Sequence, residues 1–332
     1  MQELINRAKE LLADGTVVRV LGWKKGDLPY NPEPHIFTSA QELEKDFIYN
    51  GFCGANLSKY MIAATKLEGK TLVFLKPCDT FSFNQLIKEH QVNRDNAYII
   101  GVGCKGKLDH RKFAAMGLGD IAEISGIELS DACDRIHVKT IYGEEKDIDY
   151  RDVMLERCFF CKTKEHQIFD EKLLDSKDTV AEGADRFEEV RKIEAMTPAE
   201  RYAFFRSELS KCIRCNACRN VCPACNCRHC VFDNTKYDTA QKANADTFEE
   251  NMFHIIRAFH VAGRCTDCGE CSRVCPEHIP LHLLNRKFIK DYNALYGDFT
   301  AGAEVGQMSP VADFTTDRDA EPDIVRKGGL RG

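Results

Sequence analysis

The chain lacks most of the features by which common functions can be read from sequence. No apolar run approaches the length of a membrane span. The opening stretch, Met1–Gly15, has no apolar core followed by a small-residue cleavage site, so it does not read as a signal peptide. Instead Leu4, Ile5, Ala8, Leu11 and Leu12 fall on one face of an amphipathic helix. A cytoplasmic protein is the expectation. There is no basic block, and a net charge of −6 gives nucleic acid no electrostatic reason to bind. A Walker motif is absent. The run Gly101-Val-Gly103-Cys104-Lys-Gly106 lacks the spacing and helix start of a dinucleotide fingerprint. No acid–base or nucleophilic constellation stands out, so no catalytic residue is assigned.

Cysteine is abundant: 17 residues in a chain of 332. In a small secreted protein such a number would mean disulfides, but a long chain without a secretory signal belongs in a reducing compartment. Clustered cysteines there are metal ligands more often than bridges. An oxygen-poor setting follows, since exposed iron–sulfur clusters oxidise easily.

The cysteines fall into a repeat. Cys212-Ile-Arg-Cys215-Asn-Ala-Cys218-Arg-Asn-Val-Cys222-Pro223 recurs as Cys265-Thr-Asp-Cys268-Gly-Glu-Cys271-Ser-Arg-Val-Cys275-Pro276. Three cysteines at this spacing wrap one corner of a cubane, while the fourth, followed by proline, points away to the other cluster. One [4Fe–4S] cluster is therefore expected on Cys212, Cys215, Cys218 and Cys275, and a second on Cys265, Cys268, Cys271 and Cys222. Pro223 and Pro276 turn the chain out of each motif. A pair of zinc sites would be satisfied by two Cys-x2-Cys pairs and would not require the third and fourth cysteine of each copy. Cys225, Cys227 and Cys230 follow the first copy. They read as structural or reserve thiols, with alternative ligands or a further cluster site as the other readings, and His229 as a hydrogen-bonding neighbour. His254 and His260 lie near a helix approaching Cys265, from which they could tune a cluster by hydrogen bonding.

Upstream, helix and strand signals alternate. Strands are expected at Thr16–Leu21, Thr71–Leu75, Ala97–Val102 and His137–Ile141, with helices carrying the stripe Leu57, Tyr60, Met61, Ala64 and starting near Asp79. This alternation predicts an α/β domain with a mostly parallel sheet. Cys53, Cys78, Cys104 and Cys133 lie in this part, with Cys158-Phe-Phe-Cys161 at its end. Cys78 and Cys104 each follow a strand, so a Cys-x2-Cys loop folding over neighbouring strand ends would gather four thiolates. Scattered core cysteines with a small redox pair at Cys158 and Cys161 are the alternative. The expected organisation is an α/β domain over 1–162, a helical connector over 163–210, a mainly helical two-cluster ferredoxin-type domain over 211–297 and an extended or disordered tail over 298–332. In the connector, Thr197-Pro198-Ala199-Glu200 predicts a capping box with proline at the first helical position. Helical stripes are read at Phe248, Met252, Ile255 and Phe259, and at Leu284, Phe288, Tyr292 and Leu295.

In order, Phe52-Cys53-Gly54-Ala55-Asn56-Leu57-Ser58-Lys59-Tyr60, Leu75-Lys76-Pro77-Cys78-Asp79, Ile100-Gly101-Val102-Gly103-Cys104 and Cys158-Phe-Phe-Cys161 resemble the beta subunits of deazaflavin-reducing hydrogenase and, more closely, of deazaflavin-dependent formate dehydrogenase. The resemblance covers about 50–162, and the cysteine-rich module extends it to about 296. It implies FAD and one [4Fe–4S] cluster in the N-terminal module, the cluster on Cys78, Cys104, Cys158 and Cys161, with Cys53 as rival for one place. The family's glycine-rich segment near the start is not evident in Met1–Lys45, nor is a glycine-containing stretch after Cys161. The expected function is an iron–sulfur electron-transfer subunit of an anaerobic oxidoreductase complex. It would relay single electrons between a catalytic partner (of formate dehydrogenase, hydrogenase or heterodisulfide-reductase type) and another redox subunit or ferredoxin. The alternative is an FAD-containing oxidoreductase acting on a deazaflavin or nicotinamide coenzyme. A redox sensor would need a single accessible cluster rather than several.

Overall fold

The computed structural model describes residues 1–118, 123–130, 134–180, 183–233 and 247–311. A five-stranded sheet organises the first half. Its strands are β1 (Arg19–Lys24), β2 (Glu33–Phe37), β3 (Thr71–Leu75), β4 (Ala97–Val102) and, completing the edge, Glu171–Leu173, in the order β2-β1-β3-β4-Glu171–Leu173. β1, β3, β4 and the edge strand run parallel, and β2 joins β1 antiparallel. β3 is apolar throughout and buried throughout, as a central parallel strand covered on both faces should be. Leu4, Ile5, Ala8 and Leu11 of the Gln2–Ala13 helix are buried in the same core as Val20, Leu72, Phe74 and Ile99. Leu57, Met61 and Ala64 also enter it, whereas Tyr60 is exposed.

β3 and β4 occupy the predicted spans, while β1 begins three residues late. The strand expected at His137–Ile141 belongs elsewhere. It is part of a separate antiparallel sheet of β5 (Ile124–Leu129), β6 (Arg135–Thr140) and β7 (Glu145–Asp149), with its own core around Phe113, Ile136, Val138 and Ile148. The stretch expected to be a purely helical connector contributes the edge strand, β8 (Glu171–Leu173), before its helices Glu188–Glu194 and Pro198–Ser210. Thr197 caps the latter: its Oγ1 accepts from the Glu200 N–H, and Glu200 accepts from the Thr197 N–H. Phe205 packs on a third, small core, but Tyr202 is exposed.

Two cysteine loops and the helices Thr247–His260 and His282–Tyr296 make up the rest. The apolar stripe of the first helix faces out: Phe248, Met252, Ile255 and Phe259 are exposed, whereas Glu250, His254 and Arg257 are buried beside Phe253. Leu295 is exposed as well, and Leu283, Asn285, Arg286 and Ile289 form the buried side of the second helix. Past that helix the chain does not leave the protein. Phe299 and Ala301 are buried, and Asn84 Nδ2 donates to the Gly302 carbonyl at 3.1 Å, so this part of the expected tail lies against the Pro77–Lys88 helix. The tail beyond 311 lies outside the described residues. Among the described residues no helix is long and apolar enough to cross a membrane.

Candidate metal centres

Register brings the first group of thiols together. Leu75 at the end of β3 pairs with Gly101 of β4, and Cys78 and Cys104 each follow three residues later. Both therefore lie off the carboxyl ends of neighbouring parallel strands, the usual ligand-binding edge of such sheets. Pro77 opens the helix that carries Cys78 in its first turn. Lys76 holds that turn: its buried ammonium donates to the Ala55 carbonyl at 3.0 Å, pairs with Asp79 at 2.9 Å and lies 4.2 Å from the centre of the Trp23 ring. The Cys158–Cys161 segment is fastened over the strand ends. His166 Nε2 lies 3.1 Å from the Leu75 carbonyl oxygen and 3.2 Å from that of Val102, with its imidazole kept neutral chiefly by burial. The Lys107 N–H points at Cys158 Sγ at 3.3 Å. As a result Cys78, Cys104, Cys158 and Cys161 line one narrow cavity with Lys107 and Arg157.

Cys53 is not in that group. It lies in the sheet core, its Sγ 3.4 Å from the Asn50 N–H, and burial pushes its thiol up to about 12. It touches instead a larger cleft of about 350 Å³, to which Tyr49, Gly103, Cys104, Gly106 and Lys107 also contribute. Cys133 lies outside the described residues.

The two copies of the repeat share a conformation. Arg214 (φ 56°) and Asn216 (φ 60°) are left-handed in the first, and Asp267 (φ 56°) and Gly269 (φ 70°) occupy the same two positions in the second. A short helical turn follows each, Ala217–Asn220 and Glu270–Arg273. Left-handed residues in tight loops turn successive N–H groups to one side, making a concavity for anions of the kind found at iron–sulfur sites. Cys212, Cys215 and Cys218 line a cavity together with Cys275 from the other copy. Cys222 crosses in the opposite sense and stands close enough to Cys265, Cys268 and Cys271 to raise the pKa of each.

Burial pushes Cys218 up to about 11 and Cys265 up to about 12, and holds Cys78 and Cys268 well above the ordinary thiol value. Without a cation these are neutral thiols, so loading metal must displace protons. Buried polar atoms around the first repeat are also unspent. Arg214 Nε and Nη1 and both ring nitrogens of His254 have no hydrogen-bond partner, and both residues line the Cys212 cavity. Burial, aided by Arg257 and Arg214, lowers His254 to about 3, so the ring is neutral and has an N–H to give. His254 thus faces the first repeat rather than Cys265, and His260 is exposed. Among the described residues no three His, Cys, Asp or Glu side chains are grouped to hold a metal ion. A lone ion needs its ligands closed around one point at about 2.0–2.3 Å, whereas a cubane spreads its thiolates over four irons.

Residues that spacing does not reveal join the two halves. Lys107, lining the N-terminal cavity, pairs with Glu270 at 2.8 Å and donates to the Gly54 carbonyl at 2.9 Å, all within the interior. Arg157, from the same cavity, donates from Nη1 to the Cys268 carbonyl. Asp267 receives Arg286 at 3.0 Å and Arg186 at 2.9 Å. Two glycines permit the close approach. A Cβ on Gly269 would meet Arg157 Cδ at 2.3 Å, and one on Gly54 would meet Arg273 Cδ at 2.8 Å. Each half therefore lays an arginine across a glycine of the other.

The repeated anion-cradling loops with crossed cysteines fall within residues 208–279, which match the family model described as a 4Fe-4S dicluster domain. Over most of its length, the chain is similar to the beta subunits of F420-dependent formate dehydrogenases. It is 23% identical over 335 residues to the F420-dependent formate dehydrogenase subunit beta of Methanocaldococcus jannaschii, covering 85% of this chain and 87% of the relative. It is 26% identical over 314 residues to F420-dependent formate dehydrogenase 1 subunit beta of Methanococcus maripaludis, covering 76% and 78%. Among solved structures, a chain of the F420-reducing [NiFe] hydrogenase complex from Methanosarcina barkeri matches at a TM-score of 0.35 and 14% identity, over 48% of this chain and 58% of that one, a likeness too slight to build on.

Proposed function

We propose that this chain is a relay subunit with three [4Fe–4S] clusters, carrying single electrons between a catalytic partner of formate dehydrogenase, hydrogenase or heterodisulfide-reductase type and a second redox subunit or ferredoxin. Cys78, Cys104, Cys158 and Cys161 would hold the N-terminal cluster. Cys222, Cys265, Cys268 and Cys271 would hold the next, and Cys212, Cys215, Cys218 and Cys275 the last. When bound, the clusters supply one-electron sites, which the contacts between the halves order from N-terminal to second to first repeat.

The observation that carries this reading is the direct connection between two thiol groups. Lys107 and Arg157 line the N-terminal cavity and end on Glu270 and the Cys268 carbonyl. Lys107 is a buried cation and Arg157 a partly buried one, both suited to compensating the negative charge of thiolate-bound clusters. They also tie the two sites together, because moving either one breaks its bond to Glu270 or to the Cys268 carbonyl. Iron analysis of Cys161→Ala, purified without oxygen, tests the assignment. A loss of about four irons per chain is expected, with the ferredoxin-type signals retained. Unchanged iron would mean that the N-terminal cysteines belong to the core.

The cleft beside this cavity favours a second reading, with a bound flavin. At about 350 Å³ it is at the low end of ligand-sized cavities, and it shares Cys104 and Lys107 with the N-terminal thiol group. FAD there would supply two-electron chemistry for a deazaflavin or nicotinamide coenzyme. Stoichiometric flavin in the purified protein would decide for this reading, and its absence for the pure relay.

A further inference from the structure

Cys225, Cys227 and Cys230 are used by none of the sites assigned above. They come from one irregular loop between the Ala217–Asn220 turn and Val231–Asp233. None belongs to the three apolar cores, although Cys53, Cys158, Cys212, Cys218 and Cys271 do. Packing therefore does not account for them. The three line a single cavity of about 260 Å³, and Arg219, Arg257 and Arg264 line it with them. Arg219 and Arg264 are held by Asp233 at 2.6 Å and by Glu89 at 2.6 Å. Arg257 is different: it is 3% exposed, and its Nε and Nη1 have no hydrogen-bond partner. A buried guanidinium with unspent N–H groups, next to three thiols, calls for an anionic group with several acceptors.

We infer that Cys225, Cys227 and Cys230 hold a fourth iron–sulfur cluster, with one iron left facing solvent. Three thiolates and inorganic sulfide would add to the negative charge of the repeat-loop cysteines around Arg257, and N–H···S bonds from the guanidinium into this cavity would occupy its free donors. Each thiol gives up its proton to solvent as iron binds. A zinc ion fits less well. The cavity is far larger than one ion. Cys227 is exposed and Cys225 and Cys230 are partly so, which puts this cluster at the outer end of the chain of sites. Arg257 interacts first with Cys218, Cys271 and Cys222 and then with Cys225, so the pocket adjoins both repeat loops.

The test is a Cys227→Ser/Cys230→Ser double variant of the full chain, purified without oxygen, with iron, sulfide and zinc measured alongside low-temperature EPR of the reduced protein. Cys225 is left in place because its sulfur accepts a hydrogen bond from Cys222, a residue assigned to the second-repeat cluster. The variant should lose roughly a quarter of the iron and sulfide and one EPR component. Unchanged iron and sulfide, or a loss of zinc instead, would overturn the inference. If the variant does not fold, alkylation of the unmodified protein answers the question. Cys227 and Cys230 should be protected in the loaded protein and react after chelation, and equal reaction in both states counts against the site. The three-cluster reading stands or falls separately, on Cys161→Ala.

Discussion

The two halves of the chain reach order by different means. Around the five-stranded sheet, Val20, Leu72, Phe74, Ile99 and Val102 are completely buried, and Cys53 is the single thiol among the buried apolar residues of that core, with Cys78 and Cys104 at the strand ends. Around the repeat loops the core is small, and cysteines make up half of its buried members: Leu209, Cys212, Cys218, Cys271, Ile279 and Leu281. Beside it, Arg214, Glu250, His254 and Arg257 are buried with polar atoms that have no hydrogen-bond partner among the described residues, Arg214 and Glu250 facing each other at 3.8 Å, while the aromatic and aliphatic stripe of the same helix faces out. The sheet half has the apolar burial to fold without metal. The loop half exchanges that burial for ligand bonds and N–H···S contacts, and its stability is linked to iron.

Removing iron should break this comparison most visibly. Chelation under reducing conditions is expected to unfold the region around 211–297 while the sheet region keeps its protection in hydrogen exchange, and uniform loss across the chain would contradict it. Next in size is Cys268→Ala, which should lose one cubane, about four irons, and interrupt electron passage from the N-terminal site to the first repeat; full iron retention would remove Cys268 from the ligands. Lys107→Met leaves Glu270 to Arg273 alone and should destabilise the joined halves by about 2–3 kcal/mol, read as a separation of their melting transitions. Gly269→Ala asks a side chain to adopt a left-handed φ and displaces Arg157, at a cost of about 1–2 kcal/mol in the loop half. The smallest effect is Thr197→Ala, which removes a helix cap worth about 1 kcal/mol and should leave iron content untouched.

Sequence pattern was most informative where one physical cause dominated. β3 and β4 are continuous apolar runs and were readable to the residue, as were the repeat spacing and the Thr197 cap. Pattern failed where long-range context decided. Glu171-Lys172-Leu173 has no strand pattern, and becomes one by pairing with Ile100-Gly101-Val102. β2 contains Pro34, which suits the sheet edge and conceals the strand. The stripe Phe248, Met252, Ile255 and Phe259 has helical period, and the helix is there, but the thiol sites draw its polar face inward. The four N-terminal cysteines could be nominated from strand ends and family resemblance. Lys107, Arg157 and Glu270 could not, because an ion pair 163 residues apart in sequence has no local signature.

Magnetic coupling between clusters tests the central claim most directly. In the fully reduced chain the N-terminal signal should relax fast and be broadened by its neighbour, and in Cys268→Ala it should narrow and saturate at lower microwave power. An N-terminal signal that is the same in both proteins, or absent from both, would contradict a relay that runs from the sheet edge through the Cys268 loop.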